Sequence, residues 1–439
     1  MTMNGPASEG HSDRSAESVL REQVLPLFRT RAELYRWPAV REYGQNAAAG
    51  VDLLREFAAS DGAALVLPYV QKAIASTVRV VLRADDSTGV IGDVARSLLR
   101  LHAELAGQAP PPVVKLVKWL IGFQFDGVQD FFDIDIVAYL PALGPVGLSK
   151  YRAQLDAIGA SLLPEPAPEV ERLLSRNQFE QPEPHLPMVN DRHARFLLQY
   201  NRKRLAVADH DRAGIIREYG GDQAMAYRLH DAAKALMEIG DTDGAIDYSL
   251  KAAGLPPGHQ AQNAAHYWCE LLTAEHPDQV EAARQWTFTR WPNSTNAAKL
   301  RQVSTDWPRT EPAVLTALEA NPRDLILFLL LTLNDPVRAW AAAARLQPDD
   351  GDLWARLVDA YQQIDPAAVL PVLRRLIDGD LEVADAANYR SAVQRLRQYR
   401  TISAGVGQTD AAREYTTLLR EQNRNRPRFL KELGKANFL

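Results

Sequence analysis

From Val19 onward, apolar residues recur at three- and four-residue spacing, and the elements they predict are helices almost throughout. Leu20, Val24, Leu27 and Phe28 share one face, and Tyr43, Ala47, Val51, Leu54 and Phe57 line a helix over 40–57. Asp61-Gly62 ends that helix, and Leu65 to Leu82 forms the next, with Pro68 placed in its first turn. A third helix runs from Val90 to Leu105. The preceding Asp85-Asp86-Ser87-Thr88-Gly89 supplies oxygen acceptors for its first free N–H groups. Pro110-Pro111-Pro112 then redirects the chain.

The stretch from Leu116 to Tyr139 is the densest in both aromatic bulk and carboxylates. Asp126, Asp130, Asp133 and Asp135 stand among Trp119, Phe123, Phe125, Phe131, Phe132 and Tyr139. The spacing lacks the order of a calcium loop. Helix caps on a solvated acidic surface are the preferred reading, and a site for a divalent cation or a basic partner is the alternative.

Beyond Leu162, Pro164, Pro166, Pro168, Pro182, Pro184 and Pro187 forbid a long helix, so residues 163–190 read as a stiff linker. From Arg192 the pattern becomes a succession of helix pairs. In the clearest, Ala226, Leu229, Ala233 and Leu236 line one helix, Gly240-Asp241 turns, and Ala245, Ile246, Tyr248 and Leu250 line its partner. Breaks at His276-Pro277, Trp307-Pro308, Asn334-Asp335-Pro336, Asp365-Pro366 and Gly407-Gln408 follow at the irregular intervals of a degenerate tetratricopeptide-like array. The predicted fold is therefore all-α. It comprises a tail (1–18), a helical N-terminal domain (19–162), the proline-rich linker (163–190) and a tetratricopeptide-like α-solenoid (191–439).

Composition changes this picture little. The 439 residues are 46% hydrophobic and 24% charged, with a net charge of −5, so no global preference for nucleic acid follows. A single cysteine, Cys269, permits neither an internal disulfide nor a multi-cysteine zinc site, and points to a reducing, cytoplasmic setting. The longest apolar run, Leu325 to Leu333, is about half the length a membrane helix needs and reads as buried. Charge distribution says more. Arg202, Lys203 and Arg204 form one basic cluster, and Arg420, Arg424, Arg426, Arg428, Lys431 and Lys435 crowd the last helices. A basic stripe of this kind either tracks phosphates, caps the array in solvent, or docks on the acidic N-terminal stretch.

Motifs for nucleotide binding, zinc proteolysis and serine hydrolysis are absent. His266, Cys269 and His276 offer too few ligands for a zinc site, so packing is the preferred account.

One resemblance adds to this reading. ADDSTGVIGDV at Ala84 to Val94 with Leu101-His102, FQFDGVQDFFD at Phe123 to Asp133, LSKYRAQL at Leu148 to Leu155, and NRPRFLKELGKANF at Asn425 to Phe438 carry it. Together they make the tract from Tyr35 to Leu439 resemble the helical region that follows the zinc finger in bacterial SWIM zinc-finger proteins. That finger needs a C-x-C pair and a C-x-H pair, which one cysteine cannot supply, so zinc is not implied here. What the resemblance implies is an all-helical, repeat-containing region.

The expected function is a non-enzymatic scaffold or adaptor without a cofactor. It would bind a protein partner through groove aromatics such as Tyr227, Tyr267, Trp268, Trp286, Trp340, Trp354 and Tyr389. The first alternative is a nucleic-acid-associated accessory protein using the basic C-terminal face. The second is a cation-dependent enzyme using Asp126 to Asp135. Neither a membrane nor a small-molecule substrate is indicated.

Overall fold

A computed structural model describes residues 16–125, 134–162, 187–220 and 224–438. Among them there is no β-strand, only an isolated bridge between Leu34 and Ala84, and the fold is all-helical. Contact density divides the chain into two compact units, Met1–Ala224 with Asp231–Ala245, and Met225–His230 with Ile246–Leu439.

The first unit opens with short helical turns over Leu20–Val24 and Leu25–Phe28, and helix is already present at residue 16, inside the stretch read as a tail. There follow α1 (Trp37–Asp61), α2 (Ala63–Val81), α3 (Val90–Gln108), α4 (Val113–Phe125) and α5 (Leu140–Ser161). After the acidic-aromatic stretch and the linker come α6 (Pro187–Ala208) and α7 (Arg212–Glu218). Asp86 serves α3 as expected of that cluster, accepting from Ile91 N at 3.0 Å and Gly92 N at 2.7 Å, although Gly89 occupies the cap position itself. Pro68 differs from expectation. It lies inside α2, not in its first turn, because the helix begins at Ala63. The carbonyl of Ala64 thereby loses its helical donor, and Ala64 is exposed, so water can supply one. By length and composition α2 could also cross a membrane, yet more than half of its apolar window is buried in protein. It is the central core helix, with Val66, Val70, Ala73 and Ile74 at 1% exposure or less.

Close helix approach requires glycine at Gly50, where a Cβ would lie 2.7 Å from Cζ of the buried Phe28. Gly50→Ala should therefore destabilise this unit by about 1–2 kcal/mol despite the better helix propensity of alanine. Gly379, on an open helix face with nothing within 4 Å, gives the opposite expectation, a gain of about 0.5–1 kcal/mol for Gly379→Ala. Denaturant midpoints of both variants check the pair, and equal signs would contradict the packing argument.

The unit division passes through α8 (Ala226–Glu238) and α9 (Thr242–Gly254). The second unit continues with α10 (His259–Glu275), α11 (Val280–Arg290), α12 (Ser294–Val303), α13 (Trp307–Leu318) and α14 (Pro322–Leu327). The apolar run Leu325 to Leu333 starts in α14 and passes into a wider π turn at Phe328–Thr332, so it is not one uniform helix, and it is buried only in part, with Leu331 exposed. Then come α15 (Pro336–Leu346), α16 (Gly351–Tyr361), α17 (Pro366–Asp380), α18 (Ala386–Gly405), α19 (Thr409–Gln422) and α20 (Pro427–Lys435). The breaks read from Asp and Pro are real starts. Asp306, Asp335, Asp350, Asp365 and Asp385 each accept from a first-turn N–H, and Pro308, Pro336 and Pro366 occupy first-turn positions.

Candidate functional site

The N-terminal unit reaches past the proline-rich stretch because polar side chains on α4, α5 and α6 close into a buried ring. Gln124 Nε2 donates to Tyr151 Oη (2.7 Å), Tyr151 Oη donates to Asn201 Oδ1 (2.6 Å), and Asn201 Nδ2 donates to Gln124 Oε1 (2.9 Å). The second amide protons go to the backbone, from Gln124 to Leu120 O and from Asn201 to Leu197 O. All three residues are essentially inaccessible, and burial pushes the Tyr151 hydroxyl far above its ordinary range, so it stays a donor. Residues 187–190, assigned to the linker, are already helical, and α6 packs within this unit.

One turn further along α6, Arg204 gives a bidentate bond to Asp135 (2.8 and 2.9 Å) and another to Glu238 (3.1 and 2.7 Å), with Tyr219 Oη at 3.3 Å. Burial works against its charge, but the bonds to Glu238 and Asp135 outweigh that and hold the guanidinium protonated. The expected basic face over Arg202, Lys203 and Arg204 is thus corrected. Successive helical residues point about 100° apart, so Arg202 is exposed, Lys203 lies over the Tyr219 ring, and Arg204 turns inward. Of the acidic cluster, Asp126, Asp130 and Asp133 lie outside the described residues, while Asp135 caps the turn at Ile136–Tyr139 and pairs with Arg204.

In the C-terminal unit an open groove of about 630 Å³ runs along α17. Arg374 and Arg375 line it together with Asp378, Glu382, Pro371 and Tyr399. Both arginines are held against rings, Arg374 over Tyr415 at 4.3 Å and Arg375 over Trp354 at 4.6 Å. Tyr415 donates to Asp378 Oδ1 at 2.7 Å; burial first, and then that carboxylate, raise its hydroxyl well above the usual phenol range. Pro371 lies inside the helix and brings no N–H, which leaves the Ala367 carbonyl, also on the groove, without a helical donor. The groove thus presents two fixed cations, two carboxylates and a free acceptor.

Of the aromatics proposed for a groove, Trp354 and Tyr389 are core residues at 4% and 5% exposure. Their helical spacing suits a core as well as a groove. Trp340 stacks on Tyr361 (4.7 Å) and meets Trp354 edge-on. Trp268 and Trp286 form an edge-to-face pair, and Trp286 meets Trp291 likewise. Tyr267 packs edge-on against His230, and Tyr227 is exposed. His266 bonds Asn296 at 2.7 Å and Cys269 is buried beside Thr287, its thiol raised by burial, consistent with packing roles. The groove residues Arg374 and Asp378, and Tyr415 that holds both, escaped the sequence reading. A proline inside a helix flanked by an Arg and an Asp four residues apart was the available signal.

At the C-terminal tip, a second open groove of about 450 Å³ is lined by Arg420, Glu421, Arg424 and Leu430. Arg420, Arg424, Arg428 and Lys431 are exposed, whereas Arg426 turns inward to bond the Leu381 carbonyl and so leaves the expected basic face.

A family model described as a family of unknown function (DUF6880) matches residues 53–432. The chain belongs to this family. The DUF6880 match begins within α1 and ends within α20, so the buried ring, the Arg204 clamp and both grooves fall inside it. No curated protein matches the chain.

Proposed function

We propose that this DUF6880 protein is a non-enzymatic scaffold or adaptor, built as a degenerate tetratricopeptide-like α-solenoid, that holds a protein partner along α17. The groove carries this reading. Guanidinium groups pinned on rings lose little side-chain freedom on binding, and alternating cations, carboxylates and a free carbonyl suit the polar backbone and side chains of an extended peptide. The resemblance to the helical region of SWIM zinc-finger proteins supports the helical, repeat-containing architecture of this reading.

Capture from an extract of the native cells tests it, at low and high salt, each with and without nuclease. A discrete protein should survive high salt and nuclease with the wild-type chain and be lost with Arg374→Glu combined with Arg375→Glu. Recovery that vanishes with nuclease, or is indifferent to those substitutions, would remove the groove from consideration.

A further inference from the structure

We propose that the tip formed by α19 and α20 is a separate, sequence-independent binding surface for the phosphodiester backbone of nucleic acid. Arg420, Arg424, Arg428 and Lys431 are exposed, and none forms an ion pair among the described residues. Several exposed cations elsewhere in this unit are paired. Arg338 pairs with Glu311, Arg345 with Glu319, Arg413 with Asp410, and Arg323 with Asp350. At the tip, residues 420–435 hold six basic residues against Glu421 and Glu432, and Glu432 is already engaged by Lys435 at 2.6 Å.

Four unanswered cations repel one another, and their mutual cost is relieved when a polyanion neutralises them together. The groove beside Arg420 and Arg424 is open and is lined also by Glu421 and Leu430, which leaves room for a sugar next to a phosphate held by the two arginines. No exposed aromatic ring stands among the tip's lining residues, so phosphate charge, not base stacking, is the chemistry on offer. A solvated cap would need only polarity, and balanced signs would serve it; this tip carries six basic residues against two acidic ones.

The test uses the purified full chain and a fluorescent mixed-sequence DNA duplex, read by anisotropy. With four phosphate contacts, the affinity should fall about 100-fold between about 50 and 200 mM salt. Neutralising Arg420, Arg424, Arg428 and Lys431 to Gln should lower it about 100-fold at the lower salt. Arg424→Lys with Arg428→Lys should retain binding, because charge and not fork geometry is used. A control that neutralises the exposed Lys115, Lys118, Lys150 and Arg202 to Gln removes as much charge from the other unit and should change nothing. If the quadruple variant folds poorly by circular dichroism, Lys431→Glu alone must still weaken binding several-fold. An affinity unaffected by the tip substitutions, or reduced equally by the control, overturns the proposal. Equal displacement by polyglutamate overturns it as well and assigns the tip to an acidic protein. Because no partner protein enters this measurement, its failure leaves the α17 groove untouched.

Discussion

Asn201→Leu should lower the melting temperature of the N-terminal unit by about 10 °C, the largest single-residue effect expected for this chain. Leucine removes one member of the ring and strands two others. Gln124 Oε1 loses its only side-chain donor and the Tyr151 hydroxyl its acceptor, both where water does not reach. Each orphaned group costs about 1–3 kcal/mol, so the total is about 3–4 kcal/mol, and a unit of this size loses about 2–4 °C for each. Tyr151→Phe is the companion test. Gln124 Nε2 keeps its bond to Leu120 O, but its other proton and Asn201 Oδ1 are left bare, so about 2–4 kcal/mol should be lost. Thermal unfolding followed by circular dichroism decides the matter. If Asn201→Leu stays within about 1 kcal/mol of wild type, the ring does not hold α6 in place.

Acidification should weaken the same unit through His102. The imidazole is wholly inaccessible, with its ring centroid 4.1 Å from that of Trp119 at a 30° tilt. Gln71 Nε2 lies 3.0 Å from its Nε2, so that nitrogen accepts and Nδ1–H donates to Tyr139 Oη at 2.9 Å. Burial pulls its pKa from 6.5 down to about 4. The unfolded chain therefore binds a proton below pH 6.5 that the folded one refuses until about pH 4. Stability from this residue is intact above pH 6.5 and declines as pH falls through that window. The full loss is about 3 kcal/mol at pH 4 and below. Denaturant midpoints at pH 7.5, 5.5 and 4.5 should show this decline in wild type and a flatter profile in His102→Gln, whose amide does not titrate. Parallel profiles would remove His102 as the cause.

The helices were legible because their apolar positions repeat locally, and the starts after Asp306, Asp335 and Asp365 because cap and proline lie next to each other in the chain. What escaped depends on partners far away in sequence. Arg204 reads as one of three basic neighbours until Asp135, 69 residues earlier, and Glu238, 34 later, are brought to it. Arg426 likewise reads as surface, although its acceptor at Leu381 lies 45 residues back. The proline-rich stretch reads as a boundary because proline disfavours a long helix, yet the packing of this unit continues on its far side. Asn201, on its far side, completes a ring begun at Gln124. The α17 groove was hidden for a related reason: Trp354, Tyr415 and Arg374 lie on separate helices, and only folding turns an arginine into a pinned cation.

The ring of Gln124, Tyr151 and Asn201 also bears on how this family can drift. A half-satisfied buried network is worse than none, whereas three apolar residues of matching volume could replace it at little cost. Each single replacement thus leads through a less stable protein, and only a concerted change of all three leads out. Positions 27, 50 and 77 residues apart are in that sense inherited as one character. Natural variation should pass over them together or not at all.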